Sequence, residues 1–196
     1  MTGDFERQSI RGERVFLRPI EPEDVDLVHR WHQDIALRRL GGQPPRSLAR
    51  LRTRFEARRD EEGQSLFSFM ICLLDDGRPI GRVDMFEIDR LNGSAQLGIE
   101  IGERSLWGKG YGTDAVDAAL DFAFGELRLE RVWLGTAADN IRAQRSYAKS
   151  GFVVEARLRN AYSERDRMVD EILMAILRDE WRDLARKRSW EYVEDT

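Results

Sequence analysis

The sequence has few of the residues that many chemistries require. One cysteine, Cys72, stands among 196 residues, so no disulfide can close within the chain and no thiolate cluster can hold zinc. It lies in the apolar run Phe67 to Leu74 and reads as a small buried hydrophobe rather than a nucleophile. His29 and His32 flank Trp31 without metal-ligand spacing, so they are read as surface residues and no metal is expected. No apolar stretch approaches the roughly 18 residues of a membrane span. Met1 to Arg14 is polar rather than signal-like, and the expectation is a cytoplasmic protein with no membrane partner. Positive charge is not in excess. With 32 Lys and Arg against 36 Asp and Glu, the net charge of −4 lacks the field that non-specific nucleic-acid binding needs, so no nucleic-acid partner is expected.

Repeats, low-complexity tracts and Pro/Gly linkers are absent too. The reading is therefore one domain over residues 1–196, with a core at about 14–177 and a final helix at about 178–190. Arg14 to Arg18 reads as a first strand. Pro22 with Glu23 and Asp24 reads as a helix start, and Leu27, Val28, Trp31 and Ile35 form that helix's apolar face. Gly41-Gly42 and Pro44-Pro45 break the chain before a second helix, capped by Ser47, with Leu48, Leu51 and Phe55 inward. Strands at Leu66 to Leu74, Pro79 to Ile88 and Ala95 to Ile101 follow, turned by Asp75-Asp76-Gly77 and Asn92-Gly93. In the last of these, Leu97, Ile99 and Ile101 face one way and Gln96, Gly98 and Glu100 the other. A helix over Thr113 to Phe124, a strand over Arg131 to Thr136 and a helix over Asn140 to Ser150 come next. A hairpin over Phe152 to Ala161 and Met168 to Leu177, turning at Ser163 to Asp166, closes the core. Antiparallel strands followed by a strand–helix–strand–helix crossover give an α+β fold with a mixed sheet.

The most informative stretch is Trp107-Gly108-Lys109-Gly110-Tyr111-Gly112, opening a helix at Thr113. A helix start presents unpaired N–H groups and about half a positive charge, so it binds phosphate oxygens. Alternating glycines let the backbone approach the ligand closely. The spacing is neither that of a Walker loop nor that of the dinucleotide fingerprint, and the loop follows hairpin-linked strands rather than the first strand of a βαβ unit.

Further on stands Asn140-Ile141-Arg142-Ala143-Gln144-Arg145-Ser146-Tyr147-Ala148-Lys149-Ser150-Gly151-Phe152, in which Asn140 can cap the helix and Gly151 end it. The glycine loop and this segment together resemble the GNAT N-acetyltransferase superfamily, in which a pyrophosphate loop precedes an Asn-x-x-Ala-x-x-x-Tyr-x-x-x-Gly-Phe pattern. Leu106 to Ala115 looks most like the branch of ribosomal-protein-alanine and spermidine N-acetyltransferases, where Trp107 replaces the more general Gln or Arg. The resemblance implies a mostly antiparallel, twisted sheet of about seven strands, splayed at a parallel pair, with helices on both faces.

It also implies the chemistry: transfer of acetyl from acetyl-CoA to a primary amine, with acetyl-CoA the cosubstrate. Pantetheine would lie beside Ile99 and Ile101, a backbone N–H near Ile101 would polarise the thioester, and Gly108, Lys109, Gly110, Tyr111, Gly112 and Thr113 would cradle the diphosphate. Asn140 would hold a pantetheine amide, and Arg145 and Lys149, with Arg142, could meet the 3′-phosphate or be a solvated face. Tyr147 matches the proposed acid for the departing thiolate. A phenol near pKa 10 against a thiol near 8.5 makes full transfer uphill by about 2 kcal/mol, so a hydrogen bond to sulfur is the stronger expectation. The Glu that some relatives carry five residues before the Asn is Gly135 here, and Glu100 is the substitute base, acting directly or through water, with a raised pKa expected for an acid among apolar neighbours.

The acceptor is less legible. Arg46, Arg50, Arg52, Arg54, Arg58 and Arg59 line the second helix and would repel a polycation, which tilts the reading toward a peptide N-terminal α-amine over a polyamine or another small amine such as an antibiotic. A non-catalytic acetyl-CoA-binding sensor is the rival from another class, and Tyr147 argues against it. A homodimer through the outer strands or final helix is compatible with the sequence and not decided by it.

Overall fold

The computed structural model describes residues 10–41, 44–59, 63–164 and 167–194. A seven-stranded sheet organises them, in the order β1-β2-β3-β4-β5-β7-β6. The strands are β1 (Val15–Pro19), β2 (Phe67–Leu73), β3 (Pro79–Asp89), β4 (Ser94–Ile101), β5 (Arg131–Ala137), β6 (Val153–Glu164) and β7 (Arg167–Leu177). Every neighbouring pair is antiparallel except β4 with β5. That one parallel pair is short: Ser94, Ala95 and Gln96 face Arg131, Val132 and Trp133, and there the ladder stops. Beyond it β4 runs on to Ile101 and β5 to Ala137 with no bonds between them, so the sheet opens into a cleft.

Period-two burial sorts the strands into two faces. On one face Leu17, Ile71, Val83, Leu97, Val132 and Met174 pack under α4 (Tyr111–Asp121) and α5 (Ile141–Lys149). On the other, Phe16, Met70 and Cys72 pack under α1 (Val25–Trp31) and α3 (Leu48–Arg59). Each of these large side chains, fully buried, contributes about 1.5–3 kcal/mol. Cys72 is wholly buried and its thiol is pushed up to about 11, chiefly by desolvation, as suits a packed hydrophobe.

The structure departs from the sequence reading at helix ends. Residues 22–24 form a 3₁₀ turn, and the first helix breaks after Trp31, where Asp34 Oδ1 accepts from Ala36 N at 2.8 Å and starts α2 (Ile35–Gly41). The break rotates Ile35 out to 62% exposure, so it is not on the core face. Helix α4 starts at Tyr111, not Thr113, because Gly110 at φ +91° supplies the left-handed turn before it. It ends in a π turn over Phe122–Glu126, which buries Phe122, Ala123 and Phe124 together. The final helix is two pieces, α6 (Arg178–Asp183) and α7 (Ser189–Glu194). Between them Arg186 turns inward to Asp121 at 2.7 Å, and Ser189 N donates to the same carboxylate at 2.7 Å. The turn expected over Ser163 to Asp166 falls partly, and the Gly42 break wholly, outside the described residues.

Candidate active site

The glycine loop sits at the open end of the cleft. Gly108 and Gly110 both have positive φ, +73° and +91°, a region that costs an L-residue about 1–2 kcal/mol. Gly112 lies in the first turn of α4, where an added Cβ would meet only Ile101 Cγ1 at 3.7 Å, an ordinary contact. The protein's own packing therefore leaves room for a side chain at 112. Its absence bares the N–H groups at the helix mouth, where the helix dipole favours an anion.

Four contacts fix the loop. Trp107 Nε1 donates to the Ile101 carbonyl at 2.7 Å, holding the loop against the end of β4. Arg142, at the start of α5, stacks 4.1 Å from the Trp107 ring centroid. Arg14 donates to the Lys109 carbonyl at 2.7 Å and lies 4.0 Å from the Tyr111 ring centroid. Thr113 Oγ1 and Ser146 Oγ, 2.8 Å apart, tie α4 to α5. Lys109, Arg145 and Lys149 are exposed. Arg14 brings a cation to the loop that the sequence reading passed over; its place just ahead of the first strand gave no signal.

Along the cleft, Ile99 and Ile101 pack toward the α4 face and leave a row of unpaired strand groups open to an extended ligand. Asn140 caps α5 and its side chain accepts from Ala143 N at 3.3 Å. Tyr147 of α5 is buried in the core on the α4 and α5 side, 9% exposed and 6.0 Å from the Phe152 ring. Among the described residues its hydroxyl has no hydrogen-bond partner, and burial pushes its pKa up to about 12.

Glu100 is not the lone acid expected. Its Oε1 accepts from Arg82 Nε at 3.2 Å and stands 3.0 Å from His32 Nε2. Burial alone would raise its pKa, but the Arg82 charge, the His32 hydrogen bond and the His32 charge outweigh it, and Glu100 is held below the usual carboxylate range. The expected raised pKa is thereby reversed. His32, read from sequence as a surface residue, is largely buried, with its side chain 12% exposed. The pairing was hidden because 68 residues separate the two.

A cavity of about 1040 Å³ lies at the end of β1, lined by residues of α1 and α3 and by Phe67, Phe69 and Phe122. None of the glycine-loop residues lines it, and Arg82, the partner of Glu100, does. Four acids line it, Glu21, Glu23, Asp26 and Glu56, with three arginines. Arg52 pairs with Asp26 at 2.9 Å, Arg58 with Asp84 at 3.7 Å, and Arg82 with Glu100. Among the described residues no cation pairs with Glu21, Glu23 or Glu56. No group of three or more ligating side chains that could hold a metal is found among the described residues, and no helix there is long and apolar enough to cross a membrane.

Comparison with known proteins points the same way as this geometry. The sequence model of the acetyltransferase (GNAT) domain matches residues 14–153. An uncharacterised N-acetyltransferase of Bacillus licheniformis is 27% identical over 89% of this chain and 98% of its own length. The spermidine N(1)-acetyltransferase of Escherichia coli K12 is 27% identical over 85% of this chain and 88% of its own length. Among solved structures, the spermidine N-acetyltransferase of Vibrio cholerae in complex with CoA and spermine superimposes with a TM-score of 0.80 at 25% identity, covering 86% of this chain and 98% of that one.

Proposed function

The chain belongs to the GNAT acetyltransferase family, as an N-acetyltransferase that uses acetyl-CoA, and we propose that its acceptor is a primary amine of an aliphatic polyamine. The observation that carries this reading is the charge of the 1040 Å³ cavity: its arginines are matched by carboxylates, and Glu21, Glu23 and Glu56 remain to balance an incoming polycation. The arginines of α3 that reach the cavity, Arg52 and Arg58, sit in ion pairs, which weakens the repulsion that favours a peptide N-terminus on sequence grounds. The relatives named for spermidine support the same class.

Within the proposal, the loop from Trp107 to Gly112 and the mouth of α4 hold the diphosphate, with Thr113 behind them. The free edge of β4 at Ile99 and Ile101 and the side chain of Asn140 hold the extended pantetheine, and Arg145 and Lys149 lie toward the 3′-phosphate. An N–H of β4 polarises the thioester carbonyl, a contact of a kind worth about 3–4 kcal/mol of barrier. Tyr147 hydrogen-bonds the leaving sulfur. At about 12, its phenol would give up a proton to a thiolate of reference pKa 8.5 only at a cost of about 5 kcal/mol, so the bond rather than full transfer is its contribution. Glu100, paired with Arg82, stays ionised and orients His32 toward the acceptor.

The test is acetyl transfer measured against spermidine, spermine, peptides with free N-termini and aminoglycosides. A kcat/KM for a polyamine at least a hundredfold above that for any peptide is expected. A preference for peptides would overturn the acceptor assignment, and acetyl-CoA binding with no turnover of any amine would favour a sensor.

A further inference from the structure

We propose that Glu171 of β7, hydrogen-bonded by Tyr162 of β6, is the catalytic carboxylate that receives the acceptor amine at the cleft and takes a proton from its nitrogen during acetyl transfer. The proposal rests on transfer to an amine and not on which amine is used.

It starts from two glycines. Gly98 on β4 and Gly135 on β5 flank the point where the parallel ladder ends, each two residues past the last pair, Gln96 with Trp133. Both face the α1 and α3 side, so the floor of the cleft has no side chain on either bank at that level. Gly98 is bare for a packing reason, since a Cβ there would press on Phe86 Cε1 at 3.1 Å. Gly135 is bare for a different one. A Cβ there would lie 2.9 Å from Glu171 Cδ and would collide with Glu171 Oε1. The carboxylate of Glu171 occupies the space above β5 that a side chain at 135 would take. Cross-strand register places it there: Glu171 pairs with Ala137, and Leu173 with Gly135, on the same face.

The surroundings of this carboxylate differ from those of Glu100. Tyr162 OH donates to Glu171 Oε1, and among the described residues no Arg, Lys or His pairs with it. Glu100 is already matched by Arg82, whereas Glu171 has only the Tyr162 hydroxyl beside it and is open to a cation entering the cleft. Glu171 is partly exposed, so a ligand can reach it. Burial, the Glu171 hydrogen bond and the Glu171 charge raise the Tyr162 phenol above its ordinary value, and the charge of Tyr147 adds to the same shift.

The chemistry balances. An amine arriving as ammonium is held by the carboxylate and loses one proton to water. Its nitrogen lone pair forms the bond to the thioester carbon. That bond leaves a positive charge on nitrogen, which still carries two protons, and makes the one facing Glu171 far more acidic than in the free ammonium; the other stays on the amide. Glu171 accepts that proton and returns it to solvent. The carbon–sulfur bond breaks with its electron pair on sulfur, and the thiolate, steadied by the Tyr147 hydrogen bond, takes one proton from solvent. Two protons leave nitrogen and one reaches sulfur, so one is released per acetyl transferred.

The experiment measures kcat, KM and acetyl-CoA affinity for Glu171→Gln, Gly135→Ala and Tyr162→Phe, with the amine that the wild-type enzyme turns over fastest. Glu171→Gln is expected to lower kcat at least a hundredfold while the acetyl-CoA Kd and the melting temperature stay near wild type. Gly135→Ala, which displaces the carboxylate without removing it, is expected to lower kcat at least tenfold, and Tyr162→Phe three- to tenfold. A kcat within threefold of wild type for Glu171→Gln would overturn the proposal while leaving the acceptor reading intact. A wild-type preference for peptides would overturn the acceptor reading, and the same variants would then decide Glu171 on that peptide. An enzyme that acetylates no amine at all contradicts both.

Discussion

His32 Nε2 stands 3.0 Å from Glu100 Oε1, and Arg82 Nε reaches the same oxygen at 3.2 Å. Together Arg82 and His32 hold Glu100 below the usual carboxylate range despite its burial. Removing one should release it. In Arg82→Ala, desolvation remains while the largest opposing charge is gone, so the Glu100 pKa is expected to rise. The acid-side inflection of kcat/KM against pH should then lie at higher pH than in the wild type. An identical profile in the two enzymes would mean that Arg82 does not set the charge of Glu100.

Tyr147→Phe removes a hydroxyl and leaves the ring packed on Phe152. A hydrogen bond to a charged group is worth about 1.5–3 kcal/mol, or roughly ten- to a hundredfold in kcat. That loss is expected with acetyl-CoA affinity changed less than twofold. Unchanged single-turnover rates would remove Tyr147 from the chemistry.

Gly112→Ala separates a ligand effect from a folding effect. The added methyl meets only Ile101 Cγ1 at 3.7 Å, so the melting temperature should move by no more than a degree or two. A bound diphosphate has to come close to the same N–H, and CoA affinity is expected to fall at least tenfold. A variant that binds CoA as wild type does would show that the ligand stays clear of position 112.

The buried face of α4 carries a pH signature. Asp117 is raised to about 6, chiefly by desolvation, against the lowering charge of Arg186. A carboxylate whose folded pKa exceeds its unfolded value binds more protons when folded, so stability falls as pH rises from about 4 to 6 and then levels. The full shift corresponds to at most about 3 kcal/mol. Asp117→Asn is expected to flatten that part of the stability curve and to raise the melting temperature at pH 7 more than at pH 4. Urea unfolding across that range checks it, and parallel curves for the two proteins would contradict it.

Much of this was legible in the sequence because it is local. The hairpin turns, the alternation of Leu97, Ile99 and Ile101 against Gln96, Gly98 and Glu100, and the glycine loop all lie within a few residues of the structure they specify. The family pattern then gave the sheet and its splay. What escaped depends on distant parts of the chain. Glu100 looks solitary until Arg82 and His32 arrive from another strand and another helix. Gly135 reads as a missing acid until β7 lays Glu171 over it. The broken final helix follows from Asp121, whose hydrogen bonds with Trp181, Arg186 and Ser189 bend the chain across α4. Asp114, on the same helix, accepts from the Glu13, Arg14 and Val15 N–H groups and clamps β1 to the helix that opens the loop.

Grip on a diphosphate by the main-chain amides at the mouth of α4 underlies the whole functional reading. Titration calorimetry with CoA and with pantetheine, which shares the extended arm but lacks the phosphates, tests it most directly. Uptake of CoA at least a hundredfold tighter than that of pantetheine is expected, with the difference largely lost in Gly112→Ala. Equal affinity for the two ligands, or no uptake of CoA at all, would contradict it.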